Sequence, residues 1–119
     1  LARDMELLPS EIDTTKEAHR AFVKEAFERH HFLKATDFEF FYQAQCLWED
    51  GMAESIARNL GDASMIVVIG NGHIIFKFGV PDRAYRRTGA PFRTVYLAPA
   101  GSTVEWKYAD YIWVTPVSE

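Results

Sequence analysis

Apolar residues recur at helical spacing in two stretches of the N-terminal half. The first stretch opens on Thr14-Thr15-Lys16-Glu17, which has the spacing of a capping box and predicts a helix over residues 15–31. The second opens on a similar box, Thr36-Asp37-Phe38-Glu39, and ends before Gly61, so it predicts a longer helix to about residue 60. One apolar stripe follows this second helix: Phe41, Ala44, Trp48, Met52, Ile56 and Leu60.

The second half of the chain shows strand patterns instead. Residues 65–69, Met-Ile-Val-Val-Ile, form an apolar run without alternation, which is typical of a strand covered on both faces. Residues 94–97 and 111–115 predict two further strands, and the glycine- and proline-bracketed stretch 79–90 predicts a turn or two of helix. This order predicts an α/β fold with two N-terminal helices and a small, mainly parallel or mixed sheet.

Composition narrows the class of protein. At 119 residues the chain is one domain at most, and its net charge of −4 argues against a nucleic-acid-binding surface, which needs a basic excess. Cys46 stands alone, so an internal disulfide is excluded. No stretch reaches the roughly 20 apolar residues of a membrane span. Because the chain begins at Leu1 rather than Met, we expect a processed or cloned part of a larger protein.

Two polar residues of the second helix fall inside its apolar stripe. On a helical projection Gln45 and Glu49 lie among Met52 and Ile56, whereas Asp50 lies on the far side. A carboxylate that faces a core costs free energy unless it is paired, hydrogen-bonded or bound to a cation. Glu49 is therefore either an edge residue that reaches solvent or an inward acid where the helix meets the sheet.

The loop Gly70-Asn71-Gly72-His73 has two interpretations. Asn-Gly between apolar runs is the strongest short hairpin signal, and it would pair residues 65–69 with 74–78. If 65–69 is instead a central strand, His73 follows its carboxyl end, where α/β sheets form their sites. Gly70 and Gly72 would then let a ligand approach the backbone closely.

A basic cluster stands out in this acidic chain: Arg83, Arg86 and Arg87 surround Tyr85. The cluster is either a solvated face or a clamp for ligand carboxylates, which arginine binds in a bidentate manner. Tyr85 is a candidate iron ligand, because phenolate serves haem iron in some proteins. His30 and His31 suit the C-terminus of the first helix through its dipole and need no ligand to explain them.

Several of these motifs together resemble the ChaN-like haem-binding uptake family of the Tiki superfamily. They are Gln45, Trp48-Glu49, Met52-Ala53-Glu54, the Gly70–His73 loop, Phe78 to Pro81 and Ala109 to Thr115. The resemblance covers about residues 28–115 and implies an α/β fold of two similar halves. Residues 1–119 would then be a single domain, the carboxy-terminal half of a larger ChaN-like one. The family usually has Asp where this chain has Glu49.

The resemblance implies haem or iron binding in uptake or handling, in an extracytoplasmic lipoprotein. In that hypothesis His73 or Tyr85 lies near the iron, and the three arginines meet the haem propionates. The implied cofactor-binding residues are His73, Tyr85, Arg83, Arg86, Arg87, Gln45, Met52, Gly70 and Gly72. The expected partners are haem or another small molecule, the missing N-terminal half and a second copy of the chain.

The wider superfamily implies an alternative, a metal-dependent hydrolase of the peptidase or esterase kind. Its cofactor would be a divalent metal that activates water, held by His73 and Glu49. The same two residues would carry the catalysis, His73 as ligand or base and Glu49 as ligand or acid/base. A third hypothesis is an inactive module that serves as scaffolding for a partner.

Overall fold

The computed structural model describes residues 8–29, 34 and 37–117. Within these ranges the α-helices and strands are α1 (Glu17–Glu28), α2 (Phe38–Asn59), α3 (Val80–Thr88), β1 (Val95–Pro99) and β2 (Tyr111–Thr115). Single turns of 3-10 helix occupy Asn71–His73, Ile75–Lys77 and Trp106–Tyr108. The fold is mixed α/β, as the sequence predicts. Among the described helices, none combines the length and the apolar character needed to cross a membrane.

Both N-terminal helices are confirmed, but their first turns differ from the prediction. The residue before α1 is Lys16, and its side chain makes no capping hydrogen bond, so the predicted capping box at 14–17 is wrong. Instead Asp13 accepts hydrogen bonds from the backbone N–H and the hydroxyl of Thr15, at 2.8 and 2.6 Å. Asp37 precedes α2, also without a side-chain cap. Thr36 of the second predicted capping box lies outside the described residues, as do His30 and His31 of the predicted end of the first helix.

The buried face of α2 is not the predicted apolar stripe. Its buried side chains are Phe38, Tyr42, Cys46, Glu49, Asp50 and Ala53. Trp48 is 68% exposed, and Asp50, which was predicted on the far side, faces inward. The prediction failed because it assigned every large apolar residue to the core. The actual face is fixed by Val23 and Phe27 of α1 at one end of α2 and by Arg83 of α3 at the other.

Residues 65–69 form no strand, so this prediction is wrong for the described structure. Ile66 is 92% exposed and Val68 is 90% exposed. The hairpin with residues 74–78 is wrong too, because neither segment forms a strand and the 3-10 turn Ile75–Lys77 occupies most of the second one. An exposed apolar run of this kind is typical of a surface that meets another part of an assembly.

The two remaining predicted strands are confirmed and form the sheet. β1 and β2 pair in parallel, with Val95 opposite Tyr111. The side chain of Asn71 binds the other edge of β1, where its Nδ2 donates to the Leu97 carbonyl at 2.8 Å and its Oδ1 accepts from the Leu97 N–H at 3.3 Å. The loop that carries His73 is thereby attached to the sheet.

Replacing Ile66 and Val68 together by threonine is expected to reduce concentration-dependent association. The free energy of unfolding should change by less than about 0.5 kcal/mol per site, because both side chains are exposed. Light scattering over a concentration series and urea unfolding measure the two quantities. Val23→Thr, in the buried cluster, is the control and should lower stability clearly. A comparable loss in the exposed pair would show that residues 65–69 are packed in solution.

Candidate functional site

A fully buried carboxylate, that of Glu49, lies at the centre of the candidate site. Its Oε1 accepts a hydrogen bond from Gln45 Nε2 at 2.8 Å and lies 3.1 Å from His73 Nδ1. Its Oε2 lies 3.1 Å from His19 Nε2 and 3.4 Å from Arg83 Nε. Side chains from α1, α2, α3 and the loop therefore meet at one anionic group, and the inward interpretation of Glu49 is the one that the structure adopts.

The charge of Glu49 is maintained by its neighbours. Burial raises the pKa of the carboxyl, but the close contact with positively charged His19 and the hydrogen bonds with His73 and Gln45 lower this pKa by a larger amount. The net effect lowers the pKa of Glu49 to about 2. Glu49 is therefore ionised near neutral pH, which suits it to orient a neighbour rather than to donate a proton.

The ionised carboxylate fixes the tautomer of His73. An N–H that points at a carboxylate makes a stronger bond than a neutral pair, so the ring hydrogen resides on Nδ1. Gln45 Nε2 also lies 3.1 Å from His73 Nδ1, but with the hydrogen on Nδ1 both nitrogens are donors, so the hydrogen bond of Nδ1 goes to Glu49. The second ring nitrogen, Nε2, makes no hydrogen bond to the residues that the structure describes, and the side chain is 29% exposed. A carboxylate behind an imidazole is also how proteins hold metal-ligating histidines.

His19 is a member of the site that the sequence interpretation missed. It lies buried on α1 against the ring of Tyr42, with 5.6 Å between ring centroids. Burial lowers the pKa of His19, but Cys46 and Glu49 outweigh burial and raise the pKa to about 9. Its Nε2 has no aligned hydrogen bond among the described residues, so its 3.1 Å contact with Glu49 is an ion pair. The sequence does contain a signal for its burial: His19 precedes the buried Val23 and Phe27 by four and eight residues, so the three share one face of α1.

Arg83 lies in the core rather than on the surface. Its Nη1 donates to Asp50 Oδ2 at 2.8 Å and to the Asp13 carbonyl at 3.0 Å. Burial lowers the pKa of Arg83, but the charge of Asp50 outweighs this effect and raises it overall. Arg87 adds a contact of 2.9 Å to Asp50 Oδ1. A haem propionate could reach Arg83 only by breaking these bonds, so the structure does not support that part of the predicted clamp.

The other candidate residues occupy different places. Arg86 binds Asp13 at 2.7 Å, and half-exposed Tyr85 lines a cavity beside α3. Gly70 is next to the imidazole, since an added Cβ there would lie 3.8 Å from His73 Cδ2, whereas Gly72 faces open space. Of the predicted site residues, the structure therefore brings Gln45, His73, Gly70 and Arg83 together around Glu49, and we call this group the Glu49 cluster. Outside it lie Tyr85, Arg86, Arg87, Met52 and Gly72. In the described ranges, no group of three or more His, Cys, Asp or Glu is arranged to hold a metal ion.

Gly79 allows the loop to pass over the buried carboxylate. Its φ of 69° and ψ of −124° form a conformation that is open to glycine alone. A Cβ at this position would lie 2.7 Å from Glu49 Oε1 and 2.8 Å from the His73 carbonyl oxygen. The geometry of the Glu49–His73 pair therefore requires the absence of a side chain at residue 79.

Comparison with known proteins gives one result. The model of a family described as "Haem-binding uptake, Tiki superfamily, ChaN" matches residues 2–84. The matched region contains α1, α2, the Glu49 cluster and the first half of α3, and it ends before β1. Neither the curated proteins nor the solved structures yielded a match.

Gly79→Ala is expected to destabilise the protein by more than about 2 kcal/mol, since it combines a strained backbone with contact against Glu49. Gly89→Ala is the matched control, because Gly89 has a φ of 65° and nothing within 4 Å of an added Cβ. Its cost should be about 1 kcal/mol, that of the left-handed conformation alone. Urea unfolding of both variants measures the difference. Equal losses would mean that the loop does not press on the carboxylate.

The stability of the protein is expected to fall as pH rises from 6.5 to 9. The folded pKa of His19, about 9, lies above its ordinary value of 6.5, so its contribution is complete below pH 6.5 and is lost as pH rises through 9. The loss is at most about 3 kcal/mol. Glu49 acts in the opposite direction, because its contribution is present above pH 4.5 and disappears as pH falls through 2.

Urea unfolding between pH 5 and 9 tests the alkaline decline. His19→Gln should flatten it, because the substituted side chain has no proton to lose. Glu25→Gln, an exposed change on the same helix, should preserve it. A decline of the same size in the His19 variant would assign it to another group.

Proposed function

Since the chain belongs to the ChaN family of haem-binding uptake proteins in the Tiki superfamily, we propose that it binds haem with His73 as the residue at the iron. The observation that carries this proposal is the hydrogen bond between His73 Nδ1 and the ionised Glu49, which leaves Nε2 free to ligate. When bound, haem would supply an iron that a histidine nitrogen can ligate.

The surroundings of His73 fit this role. Glu49 holds a negative charge behind the ring, which fixes the orientation of the imidazole as a ligand. Gln45 donates to the same carboxylate oxygen and limits its movement. Gly70 leaves the Cδ2 edge of the ring, next to Nε2, without a covering side chain. These three residues therefore orient and expose the imidazole without ligating anything themselves.

We extend the proposal to iron uptake or handling by an extracytoplasmic lipoprotein. The support for this setting is the family alone. We also propose that residues 65–69 are covered by the other half of a two-half domain. The support is the exposure of Ile66 and Val68, since an apolar run of this type belongs in a sheet that is covered on both faces.

A second candidate, a hydrolase, rests on the same pair of residues. An imidazole held by a carboxylate can act as a general base toward water or a hydroxyl. In the present geometry Glu49 would orient His73, because both carboxylate oxygens are already engaged by other side chains. In a hydrolase of this kind, His73 would therefore be the general base and Glu49 a positioning residue.

Haemin titrated into the protein is expected to give a shifted Soret band that saturates. His73→Ala should weaken binding at least tenfold, because the nitrogen proposed to ligate the iron is removed while Glu49 and Gln45 stay in place. Tyr85→Phe is the control and should bind as the unchanged protein does, since Tyr85 lies on α3 away from the cluster. Absorption spectra over a haemin series provide the affinities.

The reverse result, loss with Tyr85→Phe and full binding by His73→Ala, would make the tyrosine the ligand. A different outcome would favour the hydrolase. In that case the Soret band would not change, and an ester or peptide substrate would be cleaved when a divalent metal is added, with loss of cleavage in His73→Ala.

A further inference from the structure

A cavity of about 450 Å³ lies between α1, α3 and the loop that follows His73. Its wall includes four aromatic residues, Phe76, Phe78, Tyr85 and Phe92, together with Lys16. His73 does not line it, whereas His19 and Arg83, which contact Glu49, do. A volume of this size is in the range of sites for small organic ligands.

The aromatic residues form two pairs around the cavity. The ring centroids of Phe76 and Phe78 are 5.6 Å apart, and those of Tyr85 and Phe92 are 6.0 Å apart in an edge-to-face arrangement. The first pair comes from the loop, and the second pair joins α3 to the segment before β1. A flat apolar ligand could meet rings from both sides, which favours an aromatic molecule over a branched aliphatic one.

The charges around the cavity favour an anion. Lys16 is exposed at the rim, and among the described residues no carboxylate lies within ion-pair distance of it. The other charged groups that line the cavity are already paired. Lys77 binds Asp110 at 2.8 Å, Asp82 lies 3.3 Å from Arg86, and His19 and Arg83 lie 3.1 and 3.4 Å from Glu49 Oε2. Lys16 is therefore the cation that remains to meet a ligand carboxylate.

The loop wall adopts a backbone that ordinary residues avoid. Phe76 and Lys77 have φ values of 57° and 62°, two consecutive left-handed residues that are not glycine. Packing holds Phe76 in place, since its ring meets those of Phe22 at 5.9 Å and Tyr108 at 5.2 Å. Strain retained in this way is concentrated at ligand sites in proteins, and here both strained residues line the cavity.

We propose that this cavity binds a planar aromatic carboxylate, with its rings against the phenylalanines and its carboxylate at Lys16. The proposal does not depend on haem binding by His73. The ligand is defined here by its chemistry: one flat apolar ring system with a single negative charge at its edge.

The probe for this proposal is 2-naphthoate, with the neutral 2-naphthylmethanol as its counterpart of similar shape. Titration of the 15N-labelled protein is expected to shift the amide signals of Phe76, Lys77 and Phe78. The alcohol should bind at least fivefold more weakly, because it lacks the charge that meets Lys16.

Lys16→Ala should remove the preference for the carboxylate and weaken 2-naphthoate binding about tenfold. The variant is expected to fold, because the structure uses the backbone carbonyl of Lys16, which accepts from the Arg20 N–H and Tyr42. Lys24→Ala is the matched control, since Lys24 is an exposed lysine of α1, the helix that Lys16 precedes, and does not line the cavity.

Three results would overturn the proposal. One is an absence of shifts at residues 76–78 up to the solubility limit of 2-naphthoate. Another is equal binding of the acid and the alcohol, or equal weakening by the two lysine variants. The third is displacement of 2-naphthoate by one equivalent of haemin, which would make the cavity part of a haem site rather than a separate one.

Discussion

The packing of this protein depends on one negative charge, that of Glu49, which is held away from water. A buried carboxylate without partners would be strongly unfavourable, so it can exist only where other polar groups converge on it. Here α1 supplies His19, α3 supplies Arg83 and the loop supplies His73. These three parts of the chain are therefore bound to the same group of α2. The apolar cluster is formed with the first half of that helix.

Features with a local cause could be predicted from the sequence, and features with a distant cause could not. The helices and the strands β1 and β2 follow from periodicity within a few residues. Gln45 and Glu49 were found as polar residues on an apolar face, and His73 through its glycine loop. The burial of Asp50 and Arg83, which are 33 positions apart, follows from their mutual neutralisation. No local pattern contains that information, so Asp50 was placed on the wrong face.

The exposed run at residues 65–69 illustrates another limit of local patterns. A series of apolar residues indicates that the segment requires apolar neighbours, but it does not indicate whether those neighbours belong to the same chain. In this chain Ile66 and Val68 face solvent, although their sequence is that of a covered strand. The exposed side chain of Trp48 departs from the pattern in the same way, since its apolar character predicts a core position that the other helices do not provide.

The bond between Asn71 and Leu97 has a consequence for how the sheet can grow. The side-chain amide imitates a peptide group, and it uses both the N–H and the carbonyl of Leu97 at the outer edge of β1. A strand that added to this edge would compete with Asn71 for both groups. Asn71 lies in the same 3-10 turn as His73. A new strand paired with β1 at Leu97 would therefore displace the turn that holds the imidazole in its present place.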